Sequence, residues 1–252
     1  AAAAALFTRN KVMAAPVLLG KEKIKKGICQ AVLVNSGNAN CFTGEKGIDD
    51  AIACSKLLGN CLGISQELAL VSSTGVIGAN LPMDKFEAGI PKIVKQLSFE
   101  GMDNFADAIL TTDTHRKIVK KTEKIGNKSF SIMGFAKGSG MIRPNMATML
   151  AYILTDVDIL PQDLNSCLSA ANEKSFNRIT IDGDTSTNDT LLALANGSSE
   201  IEINDTDSKI VFQNALDEIC FQLAKMVVKD GEGATKFIQI IVKGAKTKKD
   251  AF

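Results

Sequence analysis

The chain has 252 residues, 45% of them hydrophobic and 23% charged, with a net charge of +1. Those proportions belong to a globular chain able to bury a sizeable core. The even charge balance, without a concentrated basic stripe, argues against nucleic acid as a partner. The absence of any apolar run near 18 residues argues against a membrane span.

The opening alanines, Ala1 to Ala5, lack a basic flank and a long apolar region, so they do not read as a secretory signal, and no function attaches to them. Residues 28–34 (ICQAVLV) predict a buried strand entering the turn Asn35-Ser36-Gly37-Asn38. Residues 48–62 predict a helix with Ala51, Ile52, Leu57 and Leu58 on its apolar side and Gly63 at its end. Residues 68–71 predict a strand feeding the loop 72–78, and residues 83–97 a helix interrupted by Gly89 and Pro91. Residues 116–125 and 128–135 predict a hairpin about Gly126-Asn127. An irregular Gly- and Pro-rich stretch, 138–145, precedes a buried strand at 148–154. Helices follow at 164–173 and 209–229, the latter with a stripe of Ile210, Ala215, Leu216, Ile219, Leu223 and Val227, and then a closing strand at 236–242. The class is mixed α/β, with long loops of Gly, Ser, Thr and Asn. Such loops are costly in a compact chain unless they build a site.

The six cysteines form no Cys-x-x-Cys pair, so reduced thiols are expected and a structural zinc site is not. His115 is the single histidine, which removes His-rich metal centres and leaves a Ser-His relay improbable as the source of a general base. Neither a phosphate loop nor a dinucleotide fingerprint occurs. The acidic run from Asp182 to Asp189 superficially resembles a calcium loop. It lacks glycine at the sixth position and has Ala193 where the bidentate glutamate belongs, so a turn network fits it better. No metal is expected. An alternative source of an activated hydroxyl is an N-terminal residue whose own amine is the base. Thr148 meets that description, since it follows a Gly/Pro loop and the small Ala147 and heads an apolar run, but on these residues alone an ordinary strand threonine is the alternative reading.

Long segments then point to a family. AAPVLL at 14–19, VNSGNAN at 34–40, SSTGVIG at 72–78, TTDT at 111–114, AKGSGMIRPNMATMLAYILTD at 136–156, ITIDGDTSTNDTLLALANG at 179–197 and DGEGATKF at 230–237 occur in order along nearly the whole chain. Together they make the chain resemble the bifunctional ornithine/glutamate N-acetyltransferases of arginine biosynthesis. The resemblance implies a layered α/β sandwich of sheets and helices with a smaller α/β second domain. It also implies self-cleavage between Ala147 and Thr148, which divides the chain into an α segment, 1–147, and a β segment, 148–252. Thr148 then acts as the nucleophile, carrying acetyl from N-acetylornithine to glutamate. An unperturbed α-amine, with a pKa of about 7.7–8.0, is a suitable base for its hydroxyl.

The same resemblance casts the Thr74 hydroxyl and the Gly75 backbone N–H as oxyanion donors. It casts Lys137, Thr111 and Glu232 as substrate-binding residues alongside Thr148, with Thr112 the alternative to Thr111. Residues 35–40 are expected to support the oxyanion region, and Arg143 receives no role. No cofactor is implied, and acetyl-CoA is left open as a co-substrate. The expected assembly is a cytoplasmic heterotetramer of two α and two β pieces, without membrane partners. Family members carry further material before the segment matching residues 6–16 and after Lys249, where Asn and Ser/Thr groups complete the substrate site. Either this chain is part of a longer protein or this member lacks part of that wall. Two other readings share features with this one: an N-terminal-nucleophile amidohydrolase or aminopeptidase that delivers acyl groups to water, and a non-catalytic interaction protein that retains the fold.

Overall fold

The computed structural model describes residues 1–143, 149–247 and 250–251. The first half contains β1 (Ala2–Phe7), α1 (Ala15–Lys23), β2 (Ala31–Asn35), α2 (Gly44–Leu62), β3 (Ala69–Ser73), α3 (Met83–Lys95) and α4 (Met102–Ala108). The second contains β4 (Lys117–Ile125), β5 (Lys128–Lys137), β6 (Leu150–Thr155), α5 (Pro161–Lys174), β7 (Thr190–Ala195) and α6 (Thr206–Lys229).

A five-stranded sheet, ordered β1-β7-β6-β5-β4, forms the centre. β6 and β7 run parallel and are covered on both faces, which is why they read as near-continuous apolar runs. Ile132, Ile153, Leu191 and Ala193 face α5 and α6, meeting Leu164, Leu168, Phe212, Leu216 and Ile219. Phe135, Leu150, Tyr152 and Leu192 face the other way, onto Leu70 of the two-stranded parallel sheet β2-β3 and Ala106 of α4. The outer side of β2-β3, through Leu33, Ala69 and Val71, packs on α1, α2 and α3 at Ala15, Ala51, Leu58 and Ile90. The result is a helix–sheet–sheet–helix sandwich. The smaller α/β part is β2-β3 with its three helices. Among the described residues no helix is long and apolar enough to cross a membrane, and the six cysteines are unpaired.

Several expectations require correction. The opening alanines form edge strand β1, paired antiparallel to β7 from Ala2↔Ala195 to Phe7↔Thr190. Their small side chains let α5 pack closely, and Ala3 and Ala4 are buried. The stretch at 236–242 forms no strand: it meets no pairing edge among the described residues, and Ile238, Ile240 and Ile241 are exposed. Ile210 and Ile52 lie outside their helices' apolar stripes and are exposed, whereas Phe212 and Cys54 take the buried positions. The α6 helix begins earlier than its apolar period suggests, because Asp205 and Ser208 form a reciprocal cap.

The packing of β5 beneath α6 yields a direct test. A Cβ at Gly134 would lie 2.6 Å from Ile219 Cγ2 and 2.7 Å from Leu223 Cδ1, so the helix sits on bare backbone there. Gly134→Val is expected to destabilise the fold by about 1–3 kcal/mol through overpacking, read as a lower midpoint in urea unfolding.

Candidate active site

Two polar loops cross at the C-terminal ends of β2 and β3. Thr74 N–H donates to Asn35 C=O at 3.0 Å, Val76 N–H to Gly37 C=O at 3.2 Å, and Ala39 N–H to Val76 C=O at 2.9 Å. Gly75 has φ +130, and a Cβ there would lie 2.2 Å from the Gly37 carbonyl carbon, so only glycine fits between the loops. Ser73 Oγ donates to Asn35 Oδ1 at 2.6 Å. From the far side, the buried Asn188 amide donates to Ala39 C=O at 2.6 Å and Ser73 C=O at 2.9 Å. The support that residues 35–40 were expected to give Thr74 and Gly75 is therefore a set of direct backbone contacts.

Lys137 ends β5 and is buried, only 4% exposed. Its Nζ donates to Thr111 Oγ1 at 2.6 Å and to Thr74 Oγ1 at 3.2 Å. Burial pulls the pKa of this ammonium below that of an ordinary lysine, opposed by Asp113, whose Oδ2 lies 3.8 Å away. Thr112 points to a different partner: its hydroxyl donates to Glu232 and shares a 2.7 Å bond with Ser139. Glu232 follows the end of α6, where its N–H donates to Ser139 C=O at 2.7 Å. Thr74, Gly75, Thr111, Thr112, Lys137 and Glu232 all line one cleft of about 750 Å³.

Ala147 and Thr148 lie outside the described residues. The register nonetheless locates the strand they precede, because Leu150 pairs with Lys137 on one side and with Thr190 on the other.

A buried ion cluster beneath the cleft escaped the sequence reading. The Lys117 ammonium, 1% exposed, donates to Asp113 Oδ1 at 2.6 Å and Asp230 Oδ2 at 2.5 Å. Asp113 also accepts from the Gly138 N–H at 2.6 Å, and Asp230 accepts from the Thr114 N–H at 3.0 Å. Burial by itself raises both carboxyl pKa values. The Lys117 bond, the other bonds to each carboxylate and nearby positive charge outweigh it, and both are held below the ordinary range. Asp113 and Asp230 sit inside the quoted TTDT and DGEG segments, but nothing local pairs either residue with the other across so much sequence.

Depressed carboxyl pKa values add stability above the unfolded value of about 3.9, and that stability disappears as pH falls through the folded values. Acid unfolding should therefore steepen below that point, and less so in Asp113→Asn/Asp230→Asn. Lys117→Met should cost about 3–5 kcal/mol in urea unfolding, since it leaves two carboxylates buried without their cation. Adding Asp113→Asn and Asp230→Asn to it should recover a large part.

The ArgJ family model matches residues 1–252 of the chain. The arginine biosynthesis bifunctional protein ArgJ of Geobacter sulfurreducens is 48% identical over 253 residues, covering 100% of this chain and 64% of that protein. The glutamate N-acetyltransferase of Methanocaldococcus jannaschii is 46% identical over 256 residues, covering 100% of this chain and 63% of that protein. The chain thus spans less than two thirds of the length of these relatives. A crystal structure of the arginine biosynthesis bifunctional protein of Bacillus halodurans superposes with a TM-score of 0.52 at 43% identity, covering 58% of this chain and 76% of that one. With a match along its whole length and relatives at this identity, the chain belongs to the ArgJ family.

Proposed function

We propose that this chain carries the self-cleaving, threonine-nucleophile machinery of an acyltransferase that moves acetyl from N-acetylornithine to glutamate. The observation that carries the reading is the convergence on Lys137. Its ammonium touches Thr74 and Thr111 in the cleft, and its backbone pairs with Leu150, two residues beyond Thr148. Oxyanion donor, cation and the strand that follows the nucleophile thereby share one end of the sheet.

The chemistry proceeds in two stages. In the first, the Thr148 hydroxyl oxygen adds to the Ala147 carbonyl carbon, the Ala147–Thr148 C–N bond breaks, and the nitrogen takes the proton. Water then hydrolyses the resulting ester, leaving a free α-amine at Thr148. In the second, that amine accepts the hydroxyl proton as the oxygen attacks the acetyl carbonyl of N-acetylornithine. Ornithine leaves with the proton on its amine, and the glutamate amine attacks the acetyl ester in turn.

Negative charge gathers on the former carbonyl oxygen at each tetrahedral stage, where the Thr74 hydroxyl and Gly75 N–H act as donors. An ammonium can only donate, so the bond from Lys137 occupies Thr74 as an acceptor and leaves the threonine proton for the oxyanion. Beyond the bonds to Thr111 and Thr74, the third Lys137 donor has only Asp113 Oδ2 at 3.8 Å near it, and in this reading it turns to a substrate carboxylate. Glu232, which accepts from Thr112, pairs in this reading with the substrate ammonium or with the protonated Thr148 amine. The resemblance extends the proposal to an assembly of two copies of each cleaved piece, which light scattering would weigh.

Thr148→Ala should remain a single chain on a denaturing gel and show no transfer, because both stages need the hydroxyl. Thr74→Ala should lower kcat by about 10²-fold with a smaller change in KM, and Thr74→Ser should recover most of the rate. A Thr74→Ala enzyme that loses only KM would make Thr74 a ground-state contact. Free acetate formed in place of acetylglutamate would assign the site to hydrolysis.

A further inference from the structure

The acidic run rejected as a calcium loop lies on both sides of the segment to be cut. Before that segment, Asp182 Oδ2 accepts the Met141 N–H and Asp182 Oδ1 accepts the Ile142 N–H at 2.9 Å. The Ile142 carbonyl is held as well, by the Ile181 N–H at 2.9 Å and by Thr180 Oγ1 at 3.1 Å. After it, Asp189 Oδ1 accepts the Met149 N–H at 2.9 Å, and the Met149 carbonyl accepts the Thr190 N–H at 3.1 Å. Residues 180–190 thus hold the N–H and the C=O of one residue on each flank, Ile142 and Met149, and both residues are buried.

The upstream flank is also strained. Met141 has φ +58, a left-handed conformation that costs a non-glycine residue of order 1 kcal/mol or more. The Asp182 bonds to Met141 and Ile142 restrain the chain there. Asp182 is itself fixed, accepting the Asp184 N–H at 3.0 Å. The neighbouring Asn188 is pinned to Ala39 and Ser73, beside the oxyanion loops, which references the Asp189 end of the grip to the cleft, and Asp182 itself lines that cleft.

We propose that Asp182 and Asp189 are positioning residues for self-cleavage. Together they fix the chain on either side of residues 143–148, so that the Thr148 hydroxyl meets the Ala147 carbonyl. This rests on the self-cleavage reading above. The attack of the Thr148 hydroxyl on the Ala147 carbonyl, which opens the cleavage before water enters, has no second reactant to recruit, and its rate depends on how narrowly the chain is held. Misplacement by about 1 Å costs on the order of 10²-fold in comparable positioned reactions.

The test follows cleavage of the full chain after cell-free synthesis, by gel and by N-terminal sequencing of the second piece. Asp182→Ala and Asp189→Ala should slow cleavage roughly ten- to a hundredfold. Asp182→Asn should stay slow, because its amide nitrogen replaces an acceptor facing a backbone N–H. The same substitutions in a Thr148→Ala chain, which cannot cleave, report folding through their thermal midpoints. Asp182 is exposed, and its variants should melt close to the parent.

Slowed cleavage with a preserved midpoint at Asp182, in the Ala and the Asn variant alike, supports the proposal. A parent that cleaves while every variant cleaves equally fast overturns the clamp alone. Cleavage slowed only in proportion to lost folded protein also overturns it. A parent that never cleaves overturns the self-cleavage reading and the clamp with it.

Discussion

Burying the Lys117 ammonium against Asp113 and Asp230 constrains the site more than any other interaction. Three charges leave water, and the two carboxylates are tolerable only while the ammonium stays within hydrogen-bond reach of both. Asp113 lies between α4 and β4, Lys117 begins β4, and Asp230 closes α6. The cluster therefore fastens the end of the long helix to the sheet at one point. Everything that departs from that point inherits its position. Glu232 is two residues beyond Asp230. The Gly138 N–H bonded to Asp113 is one residue beyond Lys137, and Thr111 and Thr112 precede Asp113 on the same short turn.

Electrostatically, the arrangement is graded. Lys117 is surrounded by carboxylates and fully sequestered, so it serves as an anchor. Lys137 is nearly as buried but bonds to two hydroxyl groups, and the closest Asp113 oxygen is 3.8 Å from it. Its charge is thus less fully neutralised locally and acts on Thr74 and on whatever enters the cleft. Burial, which depresses its pKa, limits how far such a charge could be left without partners. One lysine holds the scaffold and the other faces the cleft, and Asp113 joins them.

Much of the fold was legible as periodicity. The hairpin β4-β5 follows from the two runs that flank Gly126-Asn127, and β2, β3, β6 and the longer helices follow from apolar runs of the right length, whereas the central strand β7 is not predicted. The elements that were missed carry weak local signals. β1 is largely alanine and becomes a strand only because β7 offers an edge that small side chains can approach. α1 has its apolar residues on all sides, with no stripe to recognise, and α4 is a seven-residue helix. Conversely, residues 236–242 have strand-like composition but no partner strand among the described residues. The site behaves differently. Thr74, Gly75, Thr111, Lys137 and Glu232 were nominated by resemblance, and the structure gathers all five into one cleft. The residues that hold them there, Asp113, Lys117, Asp230 and Asn188, were not nominated, because their partners are distant in sequence and a charged residue in a polar loop looks the same whether buried or solvated.

The central claim is that acetyl passes through the Thr148 oxygen. Acid-quenched peptide mass spectrometry of the native protein, taken during turnover, reads this directly. With N-acetylornithine alone, the peptide beginning at Thr148, kept acidic so that its amine stays protonated, should gain one acetyl group. Adding glutamate should discharge it within a turnover. Acetylglutamate formed at full rate while that peptide stays unmodified would contradict the account.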